Sequence, residues 1–418
     1  MHTRVLAVSP AAIKYPPHDP TTQTPIIDPN SDTYANLQEA VAVIKSSSSS
    51  SSSNTTNTQP LVAFPTETVY GLGADARNDN AVRAIYAAKN RPADNPLIVH
   101  VSSLAQLERI SGGPLPEIYV PIVKAFWPGP LTIVLPVPTT SQNSVSPLCT
   151  HGQKTFAVRM PNHPVARALI ALSDTPLAAP SANLSTRPSP TSASHVYADL
   201  HDRIPLILDG GPCDVGVEST VVDGTVSPPK LLRPGGISVE QIRQQGGPLW
   251  QSIVVGSPDT SPEQVPRTPG MKYKHYSPSC PVYLFIDCPD GAQAVRETLL
   301  TQNNQNQNQD QDQNKNQNQI KLPQGKIAIL TTYHFDPKAI EQTLAPTETV
   351  SRSLGVTGAD ISRNLFSELR HLEKTSGAAA IIVEGVPLAN EGLAIMNRLT
   401  KAASHIFRKV GSQYIIEK

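Results

Sequence analysis

Apolar positions along this chain follow two rhythms. Some recur at helical spacing, as in 34–45 (YANLQEAVAVIK) and 80–89 (NAVRAIYAAK). Others form short runs bounded by Pro, Gly or polar clusters: 61–64, 97–101, 131–137, 155–160 and 204–208. Runs of this length predict strands, and 217–222 (VESTVV) is a strand that carries polar residues alternation would not require. Further helices are predicted over 104–110, 117–126, 164–172, 193–200 and 238–245, the last with Ser238 as its N-cap. Strands mixed with helices predict one α/β domain over 34–250.

After 250 the rhythm stops. Residues 251–278 are proline-rich and read as a linker. Then 281–287, 326–331 and 379–384 look like buried parallel strands, with helices over 292–300, 361–374 and 392–403 between and after them. This predicts a smaller α/β domain over 279–418. Three stretches carry no periodicity: a disordered tail at 1–33, a Ser/Asn/Thr loop at 46–59, and an Asn/Gln-rich insertion at 301–319.

Composition changes this picture mainly by exclusion. The 34 basic and 34 acidic residues balance, so no general field favours nucleic acid. Four cysteines (Cys149, Cys213, Cys280, Cys288) form no CxxC pair, which argues against a zinc ribbon or disulfide scaffold. There is no membrane-length apolar run or signal-peptide pattern. None of the C-terminal strands is followed by a GxGxxG or GxxxxGK[ST] loop, so any nucleotide is held by another device.

The candidate chemistry clusters around 177–190 (LAAPSANLSTRPSP). Ser181, Asn183, Ser185, Thr186, Arg187 and Ser189 follow an apolar run and offer short donors to an anion; the alternative is a polar loop capping the next helix. Lys89, Arg91 and Asn95 read as a phosphate clamp, or else as cations complementing a helix C-terminus. His100 in an apolar strand is by default a core histidine. Arg159 lies in an apolar strand and needs a carboxylate or phosphate partner. Arg233 precedes a turn. The linker ends in alternating basic and aromatic residues, Lys272 to Tyr276, which suit a loop folding over a nucleotide or a semi-rigid spacer.

The motifs at 64–73 (FPTETVYGLG), 89–101, 126–135, 156–164, 179–190, 216–223, 231–236 and 269–278 closely resemble the YrdC/Sua family of threonylcarbamoyl-adenylate synthases in its long, two-domain form. The resemblance implies an open, twisted mixed sheet with a large concave cavity, followed by a Rossmann-like module. It implies a reaction of L-threonine, bicarbonate or CO2, and ATP, giving threonylcarbamoyl-AMP and pyrophosphate. It implies threonine contacts at Thr68, His100, Arg159, Ala179 and Ser219. ATP contacts fall at Arg91, Asn95, Thr155, Ser181, Ser189 and Arg233, with Tyr276 or Tyr273 from the linker. Lys89 and Arg91 match the family's KxR element, and Ser181 and Asn183 its SxN element; these four are expected at the reacting centre. Mg2+ is expected with the triphosphate, its protein ligands unassigned, and no organic cofactor. The product would pass to a tRNA threonylcarbamoyl transferase that modifies the adenosine beside the anticodon. The expected protein is a cytoplasmic monomer making at most weak contact with tRNA and none with a membrane, with mitochondrial import left open.

The inventory suits that chemistry. A carbamate oxygen attacks the α-phosphorus and pyrophosphate leaves in line, so the protein holds two anions together and needs no nucleophile. Ser181 is then a donor. Two rivals are weaker. A carbamoyl-adenylate module of the hydrogenase-maturation kind would need an acylphosphatase region and zinc-binding CxxC pairs. An RNA-binding module would need stacking aromatics beside the basic residues.

Overall fold

The computed structural model describes residues 2–16, 24–46, 59–92, 94–138, 145–256, 275–300, 320 and 322–417. They divide into two compact units: Met1–Ser185 with Ser189–Tyr273, and Thr186–Pro188 with Lys274–Lys418.

The strands of the first unit are β1 (Arg4–Ala7), β2 (Val62–Phe64), β3 (Gly71–Asp75), β4 (Ile98–His100), β5 (Leu131–Pro136), β6 (Thr155–Arg159), β7 (Leu177–Ala178), β8 (Leu206–Asp209), β9 (Thr220–Asp223), β10 (Lys230–Arg233) and β11 (Val254–Val255). They form one mixed sheet in the order β1-β8-β2-β3-β7-β4-β6-β5-β9-β10-β11. Its centre is antiparallel at β3–β7, β7–β4 and β6–β5 and parallel at β4–β6 and β5–β9. Helices Asp32–Lys45 and Pro164–Ser173 share one core with β2 and β8: Leu37, Ile44, Leu169, Phe64 and Leu206 are all buried there. Ser31 caps the first helix by accepting from the Tyr34 amide. Ser238 caps Val239–Gln245, as the sequence predicts, and Gln241 completes a capping box.

The N-terminal segment differs from the sequence reading. The expected N-terminal tail contains β1, paired in register from Arg4 with Leu206 to Ala7 with Asp209. It is an edge strand, largely solvent-facing, so it has no buried face to write an apolar alternation. The glycines of the 64–73 motif open β3, so the motif continues into a strand. The approach there is close: a Cβ on Gly73 would lie 2.6 Å from the Phe64 ring.

The second unit is a six-stranded sheet. Its strands are β12 (Val282–Ile286), β13 (Ile327–Thr331), β14 (Thr349–Ser353), β15 (Ala380–Glu384), β16 (His405–Val410) and β17 (Gln413–Ile416), ordered β14-β13-β15-β12-β16-β17. All pairs are parallel except the terminal hairpin β16–β17. The crossover helices are Pro337–Leu344, Gly358–Lys374 and Gly392–Ala402. The expected helix over 292–300 is α-helical at Gly291–Val295 and π-helical at Arg296–Leu300. Phe285 stacks on Phe407 with ring centroids 4.8 Å apart. Among the described residues, no helix is long and apolar enough to cross a membrane. The tracts 47–58 and 301–319 and the linker from 257 to 274 lie outside the described residues.

Candidate active site

The site is built at the strand ends near the centre of the first sheet. Between β2 and β3 the chain turns through Pro65–Tyr70. Thr66 Oγ1 pins this turn: it accepts from the Thr68 and Val69 amides (both 3.2 Å) and donates to the Val69 carbonyl at 2.6 Å. Thr66 and Thr68 hydroxyls lie 2.8 Å apart. Either hydroxyl can donate across this contact, and Thr68 Oγ1 keeps a lone pair for another donor.

That donor is Arg159, at the end of β6. Its Nη1 donates to Thr68 Oγ1 at 2.9 Å and its Nε to the Gly129 carbonyl at 3.1 Å. Its Nη2 lies 2.6 Å from Glu67 Oε1, with both side chains buried. The partner that an arginine in an apolar strand requires is therefore Glu67. Sheet register sets His100 and Thr132 beside Arg159 on the flanking strands. Thr132 Oγ1 lies 2.8 Å from Ser219 Oγ, and Arg233 donates to the Ser219 carbonyl and hydroxyl at 2.9 and 3.1 Å. Ala179 is tied in by its amide, which donates to the Ile98 carbonyl at 2.9 Å.

Thr68, His100, Arg159, Ala179 and Ser219 thus occupy one continuous patch across β7, β4, β6 and β5 and the residues that lead into β3 and β9. His100 is buried and its ring meets Phe64 edge-on at 6.4 Å. Burial, with the Arg159 charge adding to it, lowers its pKa to about 3, so the imidazole is neutral at physiological pH. Burial also lowers the pKa of His163, whose Nδ1 caps the helix Pro164–Ser173.

The 179–190 loop is knit to the first turn. The Leu72 amide donates to Pro180, the Ala182 amide to Tyr70, and the Tyr70 amide to Pro190, each at 2.8 Å. Lys89, at the end of helix Asp79–Lys89, is 1% exposed, and its ammonium donates to the carbonyls of Ser181 and Asn183. In return Ser185 donates its amide to the Lys89 carbonyl at 3.0 Å. Lys89 is therefore a clamp on the SxN loop rather than a cation on a helix end. Arg91 braces its own loop, donating from Nε and Nη2 to the carbonyls of Asn95 and Pro96 at 3.2 and 3.1 Å. Ser189 donates to Glu218 at 2.6 Å.

Thr155 begins β6, four residues from Arg159 at its end, which is roughly 13 Å along a strand. Tyr276 belongs to the second unit, where it is buried with its ring 5.2 Å from Phe366 and the Arg398 guanidinium 5.8 Å away. Tyr273 lies outside the described residues. Sequence reasoning missed Glu67, Thr132 and Glu218. Glu67 was legible as the one acid in an otherwise hydroxyl-rich turn, but its pairing needs β6, about ninety residues away.

Comparison with known proteins places the chain in a family. The Sua5/YciO/YrdC family model, described under telomere recombination, matches residues 55–235, and the threonylcarbamoyl-AMP synthase C-terminal domain matches 237–404. A threonylcarbamoyl-AMP synthase of Schizosaccharomyces pombe is 46% identical over 97% of this chain and 99% of its own length. One from Pyrococcus abyssi is 43% identical over 84% of this chain and 92% of its own length. A crystal structure of P. abyssi Sua5 complexed with L-threonine superposes with a TM-score of 0.73 at 36% identity, covering 98% of this chain and 100% of that one. Its curated relatives make the chain a nucleotidyltransferase-type enzyme. The chain belongs to the threonylcarbamoyl-AMP synthase family, in its two-domain form.

Proposed function

We propose that the first unit condenses L-threonine, bicarbonate or CO2, and ATP into threonylcarbamoyl-AMP and pyrophosphate. The observation that carries this reading is the path from Thr68 through Arg159, Thr132 and Ser219 to Arg233, joined by hydrogen bonds and sheet register. It sets residues expected to hold threonine against one expected to hold nucleotide. Arg159 would take the threonine carboxylate. Arg233, Arg91, Asn95, Ser181, Ser189 and Thr155 would hold ATP. Lys89 would act chiefly by fixing the Ser181–Asn183 loop, so that donors meet the phosphates without reorganisation. His100 stays neutral and adds shape without charge.

Neither carbamate formation nor attack on the α-phosphorus needs a covalent protein intermediate, and positioning supplies most of the rate. Mg2+ would arrive with the triphosphate. Phosphate oxygens and water would be its main ligands. The adenylate would pass to a tRNA threonylcarbamoyl transferase in the cytoplasm, with the synthase acting as a monomer.

The test is pyrophosphate release from ATP and bicarbonate by the purified chain. Release that requires L-threonine, is not replaced by serine, and yields a labile adenylate on chromatography is the expected result. Threonine-independent turnover would overturn the reading.

A further inference from the structure

Arg159 is not free to act as a bare cation. Of its five N–H donors, one is given to Gly129 O, one to Thr68 Oγ1, and one faces Glu67 Oε1. The ion pair with Glu67 cancels the charge that a threonine carboxylate would seek. A pocket built only to take an anion has no use for a buried carboxylate 2.6 Å from its anchor.

Glu67 carries a second anomaly. Its side chain is about nine-tenths buried, and its Oε2 has no hydrogen-bond partner among the described residues. Other titratable groups whose charges act on Glu67 are His163 and Arg167, with Cys213 nearby. His163 is kept neutral by burial and spends its Nδ1 on the Val165 amide. The Arg167 guanidinium lies 3.9 Å from the Tyr15 ring centroid. None of these gives Oε2 a hydrogen bond. A buried carboxylate oxygen left unpaired is costly, so its retention calls for a ligand that completes it.

The ligand in question is a zwitterion, with a cationic ammonium one carbon from its carboxylate. We infer that Glu67 determines substrate specificity: its unpaired carboxylate oxygen receives the α-ammonium of the amino acid while Arg159 takes the α-carboxylate. The Arg159–Glu67 pair is then a neutral site matched to a neutral ligand that carries both charges. It excludes a hydroxy acid of the same shape, which would bring a net negative charge and no donor strong enough for Glu67. This rests on the reading of Arg159 as the carboxylate anchor.

The experiment is calorimetric titration of the full chain with L-threonine and with 2,3-dihydroxybutanoate, its analogue in which a hydroxyl replaces the ammonium. The unaltered protein should prefer threonine by about tenfold or more, the worth of one charge-assisted hydrogen bond. Equal affinities would overturn the proposal with no substitution made. Glu67→Gln keeps the shape and removes the charge. It should weaken threonine by about tenfold and leave the analogue equal or tighter, collapsing the preference. If both ligands weaken by the same factor, Glu67 only positions Arg159, and the proposal falls. If Glu67→Gln does not fold, Glu67→Asp, which keeps the charge on a shorter arm, should retain the sign of the preference; its loss would count against the proposal. Arg159→Ala separates the two readings. If it leaves threonine binding intact, the anchor assignment itself fails. If it weakens both ligands while Glu67→Gln weakens neither, the anchor stands and the inference about Glu67 does not.

Discussion

The central strands of the second unit and the strand ends of the first bury very different side chains. The centre of the second is apolar: VYLFI, IAILT and AIIVE are buried at every position and, Tyr283 apart, carry polar side chains only at their ends. The carboxylate buried there, Glu384, is saturated by the backbone amides of Thr332, His334 and Phe335 at 2.7, 2.7 and 3.2 Å. The first unit buries Glu67, Lys89, Arg91, Arg159, Glu218 and Arg233, all close to strand ends and loops. Burying a charge is tolerated when it is paired, and the pairing in the first unit is incomplete at Glu67. A satisfied carboxylate stabilises a loop. An unsatisfied one beside an arginine marks a place where a ligand finishes the network.

The contrast is tested most severely in the apolar core of the second unit. Phe285→Ala removes a ring packed against both Phe407 and Phe335 and should cost that unit about 3–5 kcal/mol in chemical denaturation. Threonine affinity of the folded fraction should not change. A parallel loss of threonine binding would mean that the second unit takes part in the site.

A change in the first unit should act on the site without a comparable loss of fold. Lys89→Ala releases the carbonyls of Ser181 and Asn183, and displacement of the loop by about an ångström should lower kcat/KM about a hundredfold. Single-turnover adenylate formation would measure it. A rate within a factor of a few of the unaltered protein would show that the loop holds its place without the clamp.

A gentler probe of the same unit is pH. His100 has its pKa lowered to about 3 in the folded chain, against about 6.5 when unfolded. The unfolded state therefore binds the extra proton between those values. Stability is fully present above about 6.5 and falls as pH drops, at up to about 1.4 kcal/mol per pH unit from this group. His100→Gln should flatten that part of the profile in urea melts taken from about pH 7 to about pH 4. An unchanged slope would assign the acid sensitivity to other groups.

Much of this was written in the sequence. Apolar spacing alone located β2, β5, β6 and β8 and the second unit's β12, β13 and β15, because each is mostly buried and reads as a largely apolar run. Edge strands did not read: β1 is mostly exposed, β14 has no buried residue, and β17 closes a hairpin with mostly exposed residues. The motif order was enough to name the family and to nominate Thr68, His100, Arg159, Ala179 and Ser219 together. It also showed that Arg159 required a partner, since a lone guanidinium in an apolar strand is untenable.

Which partner it took was a matter of three dimensions. Glu67 and Arg159 are about ninety residues apart, and only the order β3-β7-β4-β6 with its register brings the turn after β2 to the end of β6. The same holds for Lys89, whose helix-end position suggested a dipole or phosphate role; the fold adds that its ammonium donates to two loop carbonyls. Local spacing fixes which face of an element is apolar, because that is a property of neighbours in sequence. Whether a buried charge is satisfied depends on atoms from distant segments meeting within about 3 Å, and only the packed sheet decides that.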